Sequence, residues 1–266
     1  MSSIKEIKLN EEIQILLSGK ALEAYNYLVQ DEEIQHLQNY ANTVSIVRLK
    51  YNDHGPVHMR KVALNALKIM DILNEKGIAL NLEQEMIGTF EDSQTAVLIA
   101  AFLHDIGMSI GRAGHEHTGA LLAINIIDRV LLATYQEDLE KRVILRSLIM
   151  ECIIGHMGTH PIHSLEAGII LIADGCDMEK GRSRIPLMIN HDSRVGDIHK
   201  YSASVIDLLT ITDGLDKPIK IYVHMLESVG IFQVEEVLFP KLQSSPIKSM
   251  IEVWVQIREE EPKRYL

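Results

Sequence analysis

The stretch that decides the fold is Ala96-Val97-Leu98-Ile99-Ala100-Ala101-Phe102-Leu103-His104-Asp105-Ile106-Gly107, an apolar run that ends in an adjacent His-Asp pair. Such a run belongs inside a protein. A carboxylate carried in beside an imidazole is costly there unless something compensates. A metal ion compensates. Working outward, His58 lies upstream and His115, His156 and Asp174 lie downstream, each in a setting that suits a ligand. The gaps along the series are 46, 10, 41 and 18 residues, too long for a compact loop site. They suit helices converging on the interior of a bundle. Imidazole and carboxylate donors together suit one or two divalent ions of Mn, Fe, Ni, Co or Zn, with Mg admitted. Asp105 has two oxygens with which to bridge two ions, which in two-metal sites lie roughly 3.5–4 Å apart.

Composition narrows the function classes. A chain of 266 residues, 47% hydrophobic and 24% charged, is an ordinary globular one, long enough for one large domain or two modest ones. A net charge of −11 argues against broad nucleic-acid binding, which depends on Lys and Arg neutralising phosphates. A small phosphorylated partner stays open, because a few cations can dominate one cleft. Cys152 and Cys176 lack CxxC spacing and sit among apolar residues, so they read as core residues, not a disulfide. No apolar run approaches the roughly 20 residues of a membrane helix. The polar N-terminus, MSSIKEIKLNEEIQ, resembles neither a signal nor a transit peptide, so the expectation is cytoplasmic, with no membrane partner. A homo-oligomer is compatible with all of this. Eight of the twelve histidines fall between positions 54 and 163: His54, His58, His104, His115, His117, His156, His160 and His163. That clustering favours a site over scattered surface use.

The pattern predicts a mainly α chain: a helical domain over 1–195 and a small α+β subdomain over 196–266. Apolar residues at helical spacing fall on either side of Ser18-Gly19, and Asp53 to Pro56 reads as the start of a helix over Val57 to Leu73. Gly77 is a stop, and the more polar Asn81 to Ser93 reads as a connection. The next helix is expected to end near Gly107, as a residue that tolerates positive φ. Helices follow over His117 to Ala133, Glu137 to Ile154 and Leu165 to Asp174. After about Arg194 the spacing changes: strands over Ala203 to Thr212 and Ile219 to Met225, a helix over Phe232 to Leu242, and alternation from Ile251 to Arg258. The tail is therefore β-β-α-β.

Five segments carry a resemblance: HGPVHMRKV around His58, AAFLHDIG, HEHTGA from His115, IIGHM around His156 and LIADGCD around Asp174. Together, over roughly residues 50–190, they resemble the HD superfamily of metal-dependent phosphohydrolases, which implies an HD-domain helical bundle. The resemblance implies a ligand core of His58, His104, Asp105 and Asp174, with His115 and His156 as the further ligands of a binuclear branch. His117 rivals His115, and His160 and His163 rival His156. The resemblance further implies hydrolysis of a phosphomonoester or phosphodiester, in a nucleotide or related small molecule, by a metal-activated water, with His104 and Asp105 catalytic. The Gly-Tyr-Pro signature of the cyclic-dinucleotide branch is missing and Met108 stands where that branch often has Lys, so that substrate is not implied.

Lys180, Arg182 and Arg184, in DGCDMEKGRSRIP, are expected to bind the substrate phosphate, against the plainer reading of a solvated loop paired with Asp177, Glu179 and Asp192. His54, one turn before His58, is expected to touch substrate or to support the ligands, against the equal reading of a solvated residue at a helix start. Glu116 reads as an exposed residue at a helix start, ahead of the alternative of a proton shuttle. Two other functions use the same ligands: an HD-fold di-iron oxygenase, and a metal-stabilised regulatory module with the C-terminal subdomain as its partner surface.

Overall fold

A computed structural model describes residues 3–179 and 197–266. The helical body comprises α1 (Ile4–Ile15), α2 (Gly19–Gln30), α3 (Glu32–Thr43), α4 (Pro56–Glu75), α5 (Asn81–Gln84), α6 (Phe90–Leu103), α7 (His115–Tyr135), α8 (Leu139–Gly155) and α9 (Leu165–Gly175). The C-terminal unit follows as α10 (Asp197–Ser204), β1 (Ile206–Asp213), β2 (Ile219–Met225), α11 (Ile231–Gln233), α12 (Phe239–Ser244), β3 (Ile251–Ile257) and β4 (Lys263–Arg264). The architecture is mainly α with a small sheet, as the sequence pattern predicts.

Helix α6 is the axis of the body. Every residue from Asp92 to Leu103 is buried, because a helix that is apolar all round needs cover on every side. It packs against α2, α4, α8 and α9. Each fully buried Val, Leu, Ile or Phe there contributes about 1.5–3 kcal/mol. Its start lies inside the stretch read as a connection. Thr89 and Asp92 close a capping box, with Asp92 N donating to Thr89 Oγ1 at 3.2 Å and Thr89 N to Asp92 Oδ2 at 2.9 Å. The Ser93 hydroxyl donates to the buried Glu166 carboxylate at 2.7 Å. Polar residues here satisfy one another inside the fold, which is why their polarity misread as exposure.

Gly107 also differs from expectation. It does not take positive φ; the helix ends at Leu103, and a 3-10 turn spans Ile106–Ser109. What requires glycine is close approach: a Cβ at 107 would lie 2.0 Å from the His115 carbonyl oxygen and 2.5 Å from Gly119 N. The contact presses the start of α7 against the chain just beyond the His-Asp pair.

By length and composition alone, α7 is long and apolar enough to cross a membrane. Its inward residues, including Ala123, Ile126, Ile127, Val130 and Leu131, are buried, and it packs against α2 and α8.

In the C-terminal unit, β1 and β2 are antiparallel, β2 and β3 parallel, and β3 and β4 antiparallel. The helical segments between β2 and β3 return the chain so that the two strands run the same way. Ile219, Ile221, Val223, Ile251, Val253 and Val255 are buried and belong to the same apolar cluster as α4, α6 and α9. Glu252, on the polar phase of β3, is fully buried. Its carboxylate accepts the backbone N–H groups of Leu215 (2.9 Å) and Asp216 (3.2 Å), fixing the turn between β1 and β2.

The Gly107 contact yields a measurable expectation. Gly107→Ala lowers unfolding free energy by about 3 kcal/mol in urea denaturation, since overpacking costs about 1–3 kcal/mol and backbone atoms here have little room to yield. Gly111→Ala, where nothing lies within 4 Å of the added Cβ, changes it by about a quarter as much or less.

Candidate metal centre

The His and Asp residues singled out in the sequence gather at the ends of helices, not midway along them. His58 sits in the first turn of α4, where Pro56 occupies the opening position. His104 caps the C-terminus of α6 and Asp105 follows directly. His115 opens α7 after Gly114, whose φ of +66 turns the chain into the helix. His156 caps α8, and Asp174 lies in the last turn of α9. All of them are buried.

Asp105 is the hub. Its Oδ2 lies 2.6 Å from His54 Nδ1, 3.2 Å from His58 Nε2 and 3.5 Å from His104 Nε2. Its Oδ1 lies 3.0 Å from His115 Nε2 and 3.4 Å from His156 Nε2. The two oxygens therefore address two separate nitrogen sets. Asp174 Oδ1 joins the first set, 3.2 Å from His58 Nε2. Burial works to raise the pKa of Asp105, but the surrounding imidazoles, His54 foremost, hold it well below the usual carboxylate range.

Hydrogen bonds settle which ring nitrogens are free to ligate. The Nδ1 atoms of His104, His115 and His156 lie 2.9, 2.9 and 2.6 Å from the carbonyl oxygens of Ala101, Arg112 and Ile153. A carbonyl only accepts, so each Nδ1 carries a proton, and a ring with no second proton directs a lone pair from Nε2. His58 Nδ1 lies 2.6 Å from Asp177 Oδ2, the carboxylate–histidine arrangement that orients metal-binding imidazoles. The Nε2 atoms then face one another in pairs, His58 with His104 at 3.2 Å and His115 with His156 at 3.1 Å. Two lone pairs repel at that distance unless a cation lies near both. Burial presses the pKa of His104 down to about 3, so a proton does not fill that role at His104. A metal could: with metal–nitrogen bonds of about 2.0–2.1 Å, two imidazoles on one ion bring their nitrogens to roughly 3 Å. The ligand atoms fall into three overlapping groups that could hold an ion: His54, His58 and Asp105; His58, His104 and Asp174; His104, Asp105 and His156.

The sequence-derived set is thus brought together as His54, His58, His104, Asp105, His115, His156 and Asp174. The rival histidines do not enter. His117 is exposed and pairs its ring with exposed His160 at 5.8 Å, and His163 is exposed as well. Lys180, Arg182 and Arg184 lie outside the described residues. Glu116 is not the exposed residue expected: its side chain is 12% exposed, and Oε2 lies 3.3 Å from His115 Nδ1.

Two participants escaped sequence reasoning. Asp177 was read as a partner for the nearby basic residues, although its three-residue offset from Asp174 was a signal that both could address one site. Lys241, from α12, places Nζ in contact with Asp174 Oδ2 and 2.7 Å from the His156 carbonyl oxygen. A lone lysine in the apolar run Val237-Leu238-Phe239-Pro240-Lys241-Leu242 was its only mark.

Residues 57–179 match the family model described as HD domain. The chain is also similar to an uncharacterized protein of Methanocaldococcus jannaschii, 37% identical over 246 residues, or 92% of this chain and 93% of that one. No solved structure matches the chain. The HD match contains every residue of the centre except His54 and Lys241.

The buried neutral imidazole predicts a pH dependence for the metal-free protein. In the unfolded chain a histidine titrates near pH 6.5; in the folded chain His104 takes its proton only near pH 3. Between those values the unfolded state binds the extra proton, so stability is full above about pH 6.5 and falls as the pH drops toward about 3. Asp105, depressed in the fold, adds a loss that begins below about pH 4. The urea midpoint of chelator-treated protein should fall steadily from about pH 6.5 to 4.5, and His104→Gln should flatten that slope. A midpoint independent of pH in this window would contradict a buried, neutral His104.

Proposed function

This chain belongs to the HD domain family, and from that premise we propose that it is a metal-dependent phosphohydrolase with a binuclear centre acting on a small phosphorylated substrate. The observation that carries the reading is the division of the Asp105 carboxylate between two nitrogen sets, {His58, His104} through Oδ2 and {His115, His156} through Oδ1. A purely structural single-ion site is closed by four ligands and has no use for a carboxylate facing both ways. His58, His104, Asp105 and Asp174 would hold one ion; His115, His156 and Asp105 would hold the other. When bound, such ions stabilise charge on phosphoryl oxygens and acidify water enough to supply a nucleophile near neutral pH.

The protein's own residues have separate tasks in this reading. His104, His115 and His156 keep their protons on Nδ1, bound to backbone carbonyls, so each presents a lone pair without tautomeric cost. Asp177 does the same for His58. His54 donates from Nδ1 to Asp105 Oδ2, which orients the bridging carboxylate and spreads its charge. Helix ends give the site its rigidity, since backbone hydrogen bonds set where each ligand begins. The net charge of −11 supports a small substrate drawn by the ions over a polyanion bound along a surface.

The test combines metal analysis with turnover. Protein purified without oxygen should contain about two divalent ions per chain, and phosphate release from a panel of nucleotides and phosphomonoesters should depend on Mn, Ni, Co or Fe. His104→Ala and Asp105→Ala should abolish release, with at least a thousandfold loss, and Asp177→Asn should weaken metal affinity about 10- to 100-fold. Tightly held iron with O₂-dependent turnover and no phosphate release would instead favour the oxygenase reading. Absence of bound metal and of any metal-stimulated activity would leave the regulatory one.

A further inference from the structure

Lys241 reaches the centre from beyond residue 179, where the HD match ends. It belongs to α12, which packs against α9, and its side chain is buried. Its stem passes Gly175 closely: a Cβ there would lie 3.1 Å from Lys241 Cδ. The ammonium donates to Asp174 Oδ2 and, at 2.7 Å, to the His156 carbonyl oxygen. Asp174 Oδ1 is left facing His58 Nε2 at 3.2 Å. One cation from the C-terminal unit therefore touches two residues of the centre, one from each side of the Asp105 bridge.

We propose that Lys241 is a positioning residue of the metal centre: by holding Asp174 Oδ2 and the end of α8, it limits Asp174 to ligation through Oδ1 and makes metal affinity depend on the C-terminal unit. The inference rests on the metal reading above. A carboxylate with both oxygens free can swing or chelate through both, and one oxygen tied to an ammonium cannot. The bond to the His156 carbonyl fixes the last turn of α8, from which the His156 ring projects. Lys241 thereby joins α8 and α9 at the point where each delivers its ligand. Coulomb's law alone acts in the opposite direction, because an ammonium beside a cation site repels the ion. The sign of the effect of removing Lys241 therefore separates positioning from simple charge.

The experiment is a calorimetric titration of the full chain with Mn²⁺, checked by competition with a chromophoric chelator. Lys241→Met should weaken Mn²⁺ binding about 10- to 100-fold, the range for outer partners of metal ligands, while Lys241→Arg, which keeps charge and donors, should stay within about threefold of wild type. Where Lys241→Met does not accumulate as folded protein, Lys241→Gln, retaining one amide donor, carries the same expectation. Glu252→Gln is the control. It loosens the β1–β2 turn without touching the centre, and should leave Mn²⁺ affinity unchanged. Tighter or unchanged binding in Lys241→Met, or an equal loss in Glu252→Gln, overturns the positioning role while the metal centre stands. A wild-type chain that takes up no divalent ion overturns the centre, and this role with it.

Discussion

The structure is organised around a carboxylate buried among imidazoles. Asp105 sits at the end of a helix that has no solvent-facing side, so water cannot hydrate its charge. An uncompensated buried carboxylate costs several kcal/mol even after relaxation, more than a well-packed leucine contributes. His54 compensates by donating from Nδ1 to Oδ2, and the imidazoles of four helix starts and ends converge on the two oxygens, where a cation could supply the rest. Each of those elements must then reach one small volume, and the order of the bundle follows from that demand. Even Gly107 answers to it, since α7 could not bring His115 to Asp105 across a larger side chain.

The tautomers of the imidazoles decide whether this cluster is only an ion-pair network or a set of donors that could hold a metal. Backbone carbonyls at Ala101, Arg112 and Ile153 occupy one nitrogen of each ring and leave the other with a lone pair pointing inward. Because a carbonyl three residues back is always present at a helix end, the fold supplies this tautomeric control without further side chains. His115, at a helix start, finds the same partner in the loop carbonyl of Arg112, whereas His58 takes the Asp177 carboxylate instead. The same chemical result is thus reached by two routes, a backbone carbonyl or a side-chain carboxylate.

The C-terminal sheet is continuous with this arrangement. Its buried face merges with the apolar cluster of the body, and α12 sends Lys241 into the centre. The positive charge lies where Asp174 would otherwise present a second open oxygen. Glu252 does the corresponding work at the far side of the sheet, where it ties down a turn that carries no chemistry. Both are buried charged residues, and both satisfy backbone groups of another segment.

The helical class, the C-terminal change of periodicity and the His and Asp residues that gather between His58 and Asp174 were legible in the sequence, because each depends on local spacing or on residue type. The apolar run before His104 implied burial, and burial implied a compensating ion, with no knowledge of the neighbours. Folding alone decided the rest. Gly107 looked like a helix stop because φ tolerance is a local property, whereas its real constraint is a backbone 8 to 12 residues away. His117, His160 and His163 were separated from the cluster only by packing, which leaves all three exposed. Asp177 and Lys241 acquire meaning from partners 119 and 67 residues distant. A sequence states which side chains exist and how they alternate; which of them share a dry, charged volume is fixed when the elements pack.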